Sequence, residues 1–329
     1  MTRSFDVFDR DDFRSPDDPD RGTSGGSESF WSLRVRLSEL HRKEERADVR
    51  DREGRDRSRQ ERPPLHREER VQEILAQRVR TVFRNRDKTY ELRDSEIHML
   101  SEVGKFRIAP QNDLAEFAYN GDRNRVERDI ENLDRQGLAD LKTILGTEHN
   151  AIKVVTLTKE GNRLLQQGGI LESRQRTYHG LKKPKEAAHD ADLYRLYHKV
   201  SDEIESQGGR IVAVRLDYEL KEELYSRIAR ASKSKRETQQ AIREEMAERY
   251  HLKVVDGKIP IPDLRIEYVN ENDSQLQRRD LELATDHYRP RGLSEKARAG
   301  FQVYARPEDT SRLRRVRDRE ELMTTILRM

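Results

Sequence analysis

Residues 120–138 read NGDRNRVERDIENLDRQGL, and the folding of this stretch decides the first half of the chain. Asn120-Gly121 is a turn signal, and after it Val126, Ile130 and Leu133 recur at the spacing of one buried helix face. Gly137 ends the pattern, as glycine does just past a helix C-terminus. The start of the predicted helix carries Arg123, Asn124, Arg125 and Arg128. Unpaired backbone N–H groups at a helix start favour phosphate, and guanidinium groups pair bidentately with phosphates or guanine edges.

Upstream, VQEILAQRVRTVF (71–83) places Val71, Ile74, Leu75, Val79 and Val82 at helical spacing. RDSEIHMLSEVGKF (93–106) predicts a second helix, with Asp94 or Ser95 as N-cap and Ile97, Leu100 and Val103 on one face. Pro110 and the PQND turn break the chain before DLAEFAY (113–119). Downstream, LADLKTIL (138–145) and IKVVTLT (152–158) read as strands around GTEHNA, and TKEGNRLLQQ (158–167) as a closing helix capped by Thr158. Helix, helix, turn, helix and hairpin is the order of a winged helix-turn-helix. In that fold one helix enters the major groove of double-stranded DNA and the hairpin reaches the neighbouring backbone. The expected contacts are Arg123, Asn124, Arg125 and Arg128, with His149 and Lys153 at the wing tip. The same fold also serves protein contacts alone, and Glu127, Asp129 and Glu131 offset the arginines.

Composition sets bounds on the rest. Of 329 residues, 39% are charged and 33% hydrophobic, so the core is small for the length and part of the chain is expected to be unfolded. Residues 1–68 carry that excess as a disordered charged tail, in which FWSLRVRLSEL (30–40), with Trp31, is the apolar exception. The 66 basic and 63 acidic residues are interleaved, so a net charge of +3 argues only weakly for a nucleic-acid partner and local clustering must carry that case. The lack of cysteine excludes disulfides and thiolate metal sites and suits a reducing cytoplasm, the expected location. No apolar run approaches the roughly 20 residues of a membrane span. MTRSFDVFDRDDF at the start lacks the apolar stretch of a signal peptide, so no membrane is expected.

In the second half, GLKKPKEAAHDADLYRLYHKVSDEIESQGG (180–209) opens with basic residues. It continues as a helix with Leu193, Leu196, Tyr197, Val200 and Ile204 in one stripe and Glu203 and Glu205 near its end. RIVAVRLDYEL (210–220) alternates as a strand. The charged helical insertion 221–250 contains RIARASKSKRE, which suits a phosphate backbone or a solvated helix face. LKVVDGKIPIPDLRIEYV (252–269) predicts a hairpin pinned by Asp256-Gly257. RDLELAT (279–285) predicts a strand, and SEKARAGFQVYA (294–305) a helix bearing Phe301, Val303 and Tyr304. This order is similar to the core of restriction-endonuclease-like nucleases, in which acids on adjacent strands hold Mg²⁺ and activate water against a phosphodiester. Asp263 and Glu282 take those places, with Glu203 or Glu205 as the helix acid. Ala284 stands where the lysine of a Glu-x-Lys pair belongs, and Lys296 on the next helix is a candidate to return an amine to the acids. Edge acids on antiparallel strands are also an ordinary surface pattern.

Winged helix, basic linker, PDLRIEY, LELAT and EKARAGFQVYA together resemble the replication-relaxation family of plasmid and mobile-element proteins, over about residues 90–306. Pro262, Asp263, Glu282, Thr285, Lys296 and Tyr304 match the family's Pro-Asp, its glutamate strand and the lysine and tyrosine of its next helix. Ala284, where the family often has an acid, departs from it. The resemblance implies a DNA-associated role in replication, relaxation or transfer of a plasmid or integrative element, with a relaxase or replication initiator as partner. A homodimer is a further expectation. The expected fold is α+β in two domains, with boundaries at 1–68 (tail), 69–170 (winged helix) and 171–185 (basic linker). A restriction-endonuclease-like α/β domain follows over 186–306, degenerate on account of Ala284, and a charged C-terminal helix over 307–329. DNA binding rather than catalysis is expected, with no certain cofactor and Mg²⁺ as the ion the cleft would take. The alternatives are a metal-dependent endonuclease or nickase using Asp263, Glu282, Lys296 and Glu203, and a winged-helix transcriptional regulator.

Overall fold

The computed structural model describes residues 67–77, 80–85, 88–146, 150–171, 174–181, 186–231, 239–270, 273–285, 290–306, 308–311, 313–314 and 326–329. Trp31 and the rest of 1–66, and His149, lie outside the described residues. The described chain is α+β. Helix α1 (Arg67–Ala76) is followed by strands β1 (Arg80–Asn85) and β2 (Lys88–Arg93), paired antiparallel with buried Phe83 opposite buried Tyr90. The helix expected to reach Phe83 therefore ends at Ala76. Thr81, Val82 and Phe83 suit a pleated surface, and the cross-strand aromatic pair sets its register.

Next come α2 (Asp94–Lys105), β3 (Ala109–Pro110), α3 (Gln111–Ala118), α4 (Arg123–Arg135), β4 (Ala139–Leu145), β5 (Ala151–Leu157) and α5 (Lys159–Gly168), with β5 between β3 and β4 in an antiparallel sheet. The N-cap of α2 is Arg93, not Asp94 or Ser95, because Glu96 Oε2 accepts the Arg93 N–H at 2.8 Å and draws the helix start back. Asn120 (φ 48°) and Gly121 (φ 87°) form the left-handed turn before α4, and the Asp122 carboxylate caps that helix through the Arg125 N–H at 3.0 Å. Thr158 Oγ1 caps α5 through the Gly161 N–H at 3.0 Å, as its sequence predicts.

The second half consists of α6 (Ala187–Ser206), β6 (Gly209–Leu216), α7 (Asp217–Ala231), α8 (Gln239–Arg249), β7 (Leu264–Asn270), β8 (Asp273–Ala284), α9 (Pro290–Ala299), β9 (Gln302–Ala305) and β10 (Ile326–Arg328). The sheet order is β10-β9-β8-β7-β6, antiparallel through β6, β7 and β8 and parallel through β8, β9 and β10. The Asp256-Gly257 turn forms, with φ of 50° and 73°, but only Val255 and Lys258 pair across it. Pro260 and Pro262 supply no N–H for a ladder, so β7 starts at Leu264. Phe301, Val303 and Tyr304 are not helical: Gly300 (φ 91°) ends α9, and residues 302–305 become a strand parallel to β8. The C-terminal helix expected over 307–329 does not reach the end, where Ile326–Arg328 pairs parallel with β9. The expected linker is docked where described: the Gln175 amide pairs with both the N–H and C=O of Val214 on β6, at 2.8 and 3.0 Å.

Arg62–Met329 forms one compact unit. Its two halves meet at α6. Ala187 and Ala191 pack on Ile108, Ile144 and Val154, while Tyr194 meets Phe106 edge-on at 5.2 Å. A line of charge crosses the same helix. Asp113 on α3 accepts from Arg195 Nε at 2.7 Å, Arg195 donates to Asp192 at 3.0 Å, and Asp192 accepts from Arg306 Nε at 2.8 Å. Asp192 is only 2% exposed. Asp192→Ala leaves Arg195 with Asp113 alone and Arg306 with only Asp309 at 3.7 Å, and is expected to cost about 2–3 kcal/mol, somewhat less than the roughly 3–5 kcal/mol of a fully buried pair because each cation keeps one acid. Urea denaturation checks this, and an unmoved midpoint would show that the line holds without Asp192.

Candidate functional site

Helix α4 buries Val126, Asp129, Ile130 and Leu133 and exposes Arg123, Asn124 and Arg128, with Arg125 half-buried. No ion pair among the described residues engages Arg123, Arg125 or Arg128; Arg128 Nε donates to the Asn124 carbonyl at 3.2 Å. The inner face is polar as well as apolar. The Tyr119 hydroxyl lies 2.9 Å from both Asp129 Oδ2 and the Ser95 carbonyl, sharing one hydrogen between two acceptors. Burial first, and then Asp129, push the Tyr119 phenol well above its usual range, so it stays a donor. Asn132 Nδ2 donates to buried Glu96 Oε1 at 2.7 Å, and Arg93 Nη1 stands 3.4 Å from Asp129. Asp129 thus faces inward and does not offset the arginines at the surface. Exposed Glu127 and Glu131 confine the cationic face to the start of the helix. Lys153 is exposed on β5, opposite Thr143.

In the second half, Leu264 pairs with Leu281, so Asp263, one residue ahead of β7, falls beside Glu282 on β8. Asp263 Oδ2 accepts the Leu283 N–H at 3.0 Å. Glu282 is fully buried, and Lys296 Nζ reaches its carboxylate at 2.9 Å while donating to the Ile261 carbonyl at 2.6 Å. Asp263, Glu282 and Lys296 therefore come together. Glu203 and Glu205 do not join them. His189, on the same helix, lies 3.8 Å from Asp263, whereas Glu203 is about 21 Å further along at about 1.5 Å per residue. Glu203 stands 3.4 Å from Arg279, and Glu205 pairs with Arg70 at 2.7 Å. Tyr304 is buried on β9, with Glu203 and Arg279 as its charged neighbours.

Sequence reasoning missed the residues that complete this cleft. The Asp217 N–H donates to the Asp263 carbonyl at 3.1 Å, and Asp217 Oδ2 accepts from Lys221 at 2.6 Å. Asp190 lies 3.6 Å from Arg107. The available signal for Asp217 was an acid placed where strand RIVAVRL turns into a helix. Burial pushes the Asp263 carboxyl up to about 6, against Lys296 and the Leu283 N–H, and Asp217 adds a like charge. Burial likewise pushes Asp190 up to about 6, opposed by Arg107. Among the described residues no group of three or more His, Asp or Glu side chains is placed to hold a metal ion. Asp263 and Glu282 are thus two carboxylates on adjacent strands, and one of them, Glu282, is paired with Lys296.

Among the described residues no helix is long and apolar enough to cross a membrane. Compared with known protein families, with characterised proteins and with solved structures, the chain matches none.

The raised Asp263 pKa has a definite sign in stability. Between about pH 4 and pH 6 the folded protein holds a proton that the unfolded chain has lost, so this group's contribution falls as pH rises through that window. Asp263→Asn is expected to raise the melting temperature more at pH 7 than at pH 5. Equal shifts at the two pH values would show that Asp263 titrates as an ordinary carboxylate.

Proposed function

We propose that the chain is a DNA-binding protein of a plasmid or integrative mobile element, acting in replication, relaxation or transfer. It reads duplex DNA through a winged helix over α2 to α5 and carries a degenerate nuclease-like half. The observation that carries this reading is the exposed cluster Arg123, Asn124 and Arg128, with Arg125, at the start of α4. That end gathers forked cations on one exposed surface, and its inner face is anchored to α2 through Asn132 and Glu96. The hairpin β4–β5 follows in the wing position, with Lys153 on its outer side.

Replacing Arg123, Arg125 and Arg128 by Ala is expected to weaken duplex binding on the order of tenfold or more at low salt. The slope of log affinity against log salt is expected to flatten by about 0.9 for each phosphate that is no longer neutralised. An unchanged slope would mean that α4 faces something other than DNA.

A second reading, a metal-dependent endonuclease or nickase, draws on the meeting of Asp263, Glu282 and Lys296. Supercoiled plasmid incubated with Mg²⁺ or Mn²⁺ is expected to stay intact. Nicking that disappears in both Asp263→Ala and Glu282→Ala would install the catalytic reading instead.

A further inference from the structure

The sheet of the second half carries a charged layer that the acidic cleft does not use. Strand register builds it. Arg215 on β6, Arg265 on β7 and Asp280 on β8 stand in one row, and Glu267 on β7 faces Arg278 on β8 in the next. Residues two apart along a strand share a face, so both rows lie on the same side of the sheet. Arg265 is 1% exposed and tightly held: it grips Asp280 at 2.6 and 2.8 Å and donates to the Tyr250 carbonyl at 2.6 Å. Like charges opposed across strands repel, so each of these cations needs an acid. Arg215 donates to Glu219 at 2.8 Å and Glu223 at 2.6 Å, and Arg278 stands 3.6 Å from Glu267.

Beside this layer lies a hollow of about 240 Å³, to which Arg227 from α7 and Arg249 from α8 add two more guanidinium groups. Both are exposed, and neither makes an ion pair or hydrogen bond with a described residue. Their helices are fixed by a common core that includes Leu220, Leu224, Ile242 and Met246. Arg227 lies one helical turn beyond Glu223, on the side of α7 that carries the partner of Arg215. Glu223 and Glu267 are the acids in the wall, against five arginines. His251, which shares the wall, is held below its ordinary range by partial burial and then by Arg278 and Arg265. Surplus forked cations over a layer of already paired charge make an anion site, and the fork suits phosphate oxygens.

We propose that this hollow binds a phosphate group of the duplex DNA backbone, with Arg227 and Arg249 as the side chains that grip it. The source of the phosphate, though not the chemistry of the site, rests on the DNA-binding reading above. Arg265, Arg278 and Arg215 act as a fixed positive background, and the interaction is independent of base sequence.

The test compares the full chain with Arg227→Gln/Arg249→Gln. Both positions are exposed, and circular dichroism checks that the variant is folded. One arm titrates each protein with a fluorescent duplex over a salt series; the other follows melting temperature with added inorganic pyrophosphate. The expected result is a duplex salt slope flattened by about 0.9 for each phosphate released, up to about 1.8 for the pair, with Arg123, Arg125 and Arg128 intact. Unchanged duplex binding, together with a pyrophosphate stabilisation that the variant lacks, would keep the phosphate site and overturn DNA as its source. Absence of both effects in the comparison would overturn the site altogether. If the unsubstituted chain binds no duplex, the DNA-binding reading fails, and the pyrophosphate arm alone decides the hollow.

Discussion

A helix buried on most of its faces can carry charge only if its neighbours answer it, and Ala187–Ser206 is such a helix. Twelve of its 20 side chains are buried, among them Asp190, Asp192 and His198. Each acid has a cation from another element: Arg107 for Asp190, Arg306 for Asp192 and Arg67 for Asp202. His198, kept neutral by burial and stacked on Phe117 at 4.6 Å, stands 3.3 Å from Glu102, which Lys105 answers at 2.6 Å. The answering cations come from sequence both before and after the helix. Deleting one of the answering cations within the folded chain would leave Asp190 or Asp192 buried without its partner, which costs far more than breaking an exposed ion pair. Interleaved arginines and acids, uninformative as a net charge, become informative once it is clear which of them are buried.

The same rule shapes α4. Its acids are sorted by depth: Asp129 is fully buried under Tyr119, while Glu127 and Glu131 lie outside. A buried carboxylate fixes the rotation of a helix more sharply than an apolar stripe does, because a small turn about the axis would leave it without its donor. Leu133 and Ile130 would tolerate such a turn; Asp129 would not. The outward aim of Arg123 and Arg128 is thus set from behind, by Tyr119 on Asp129 and Asn132 on Glu96.

Much of the first half was legible in its sequence because local signals there agree with one another. Asn120-Gly121, the Val126–Ile130–Leu133 spacing, Gly137 and Thr158 each specify one piece of backbone, and none competes with another. Where signals compete, the sequence misleads. Val79 and Val82 continue the spacing of α1, yet β-branched Val82 and aromatic Phe83 are better placed on a strand facing Tyr90. Phe301, Val303 and Tyr304 follow an amphipathic helix, but Gly300 breaks it and their alternation suits a buried parallel strand. Asp263 and Glu282 were visible because strand neighbours can be counted. Asp217 and His189 come to the cleft through packing between elements far apart in the chain, which periodicity does not encode. Glu203 failed for the opposite reason: it lies on the right helix, but at the wrong end of it.

The two polar regions of the second half differ in whether their charge is closed. In the cleft it is closed: Lys296 answers Glu282, Lys221 answers Asp217, and Asp263 sits where a proton is held to about pH 6. An ion entering there would share a fully buried carboxylate with the Lys296 ammonium, whose charge opposes it. In the hollow the charge is open, because the acids at hand are already taken by Arg215, Arg265 and Arg278, and Arg227 and Arg249 remain over. A phosphodiester arriving at this surface meets cations that have no acid to leave first, whereas the acids that would act on it are held by their own lysines. That asymmetry is the observation on which the proposed phosphate site rests.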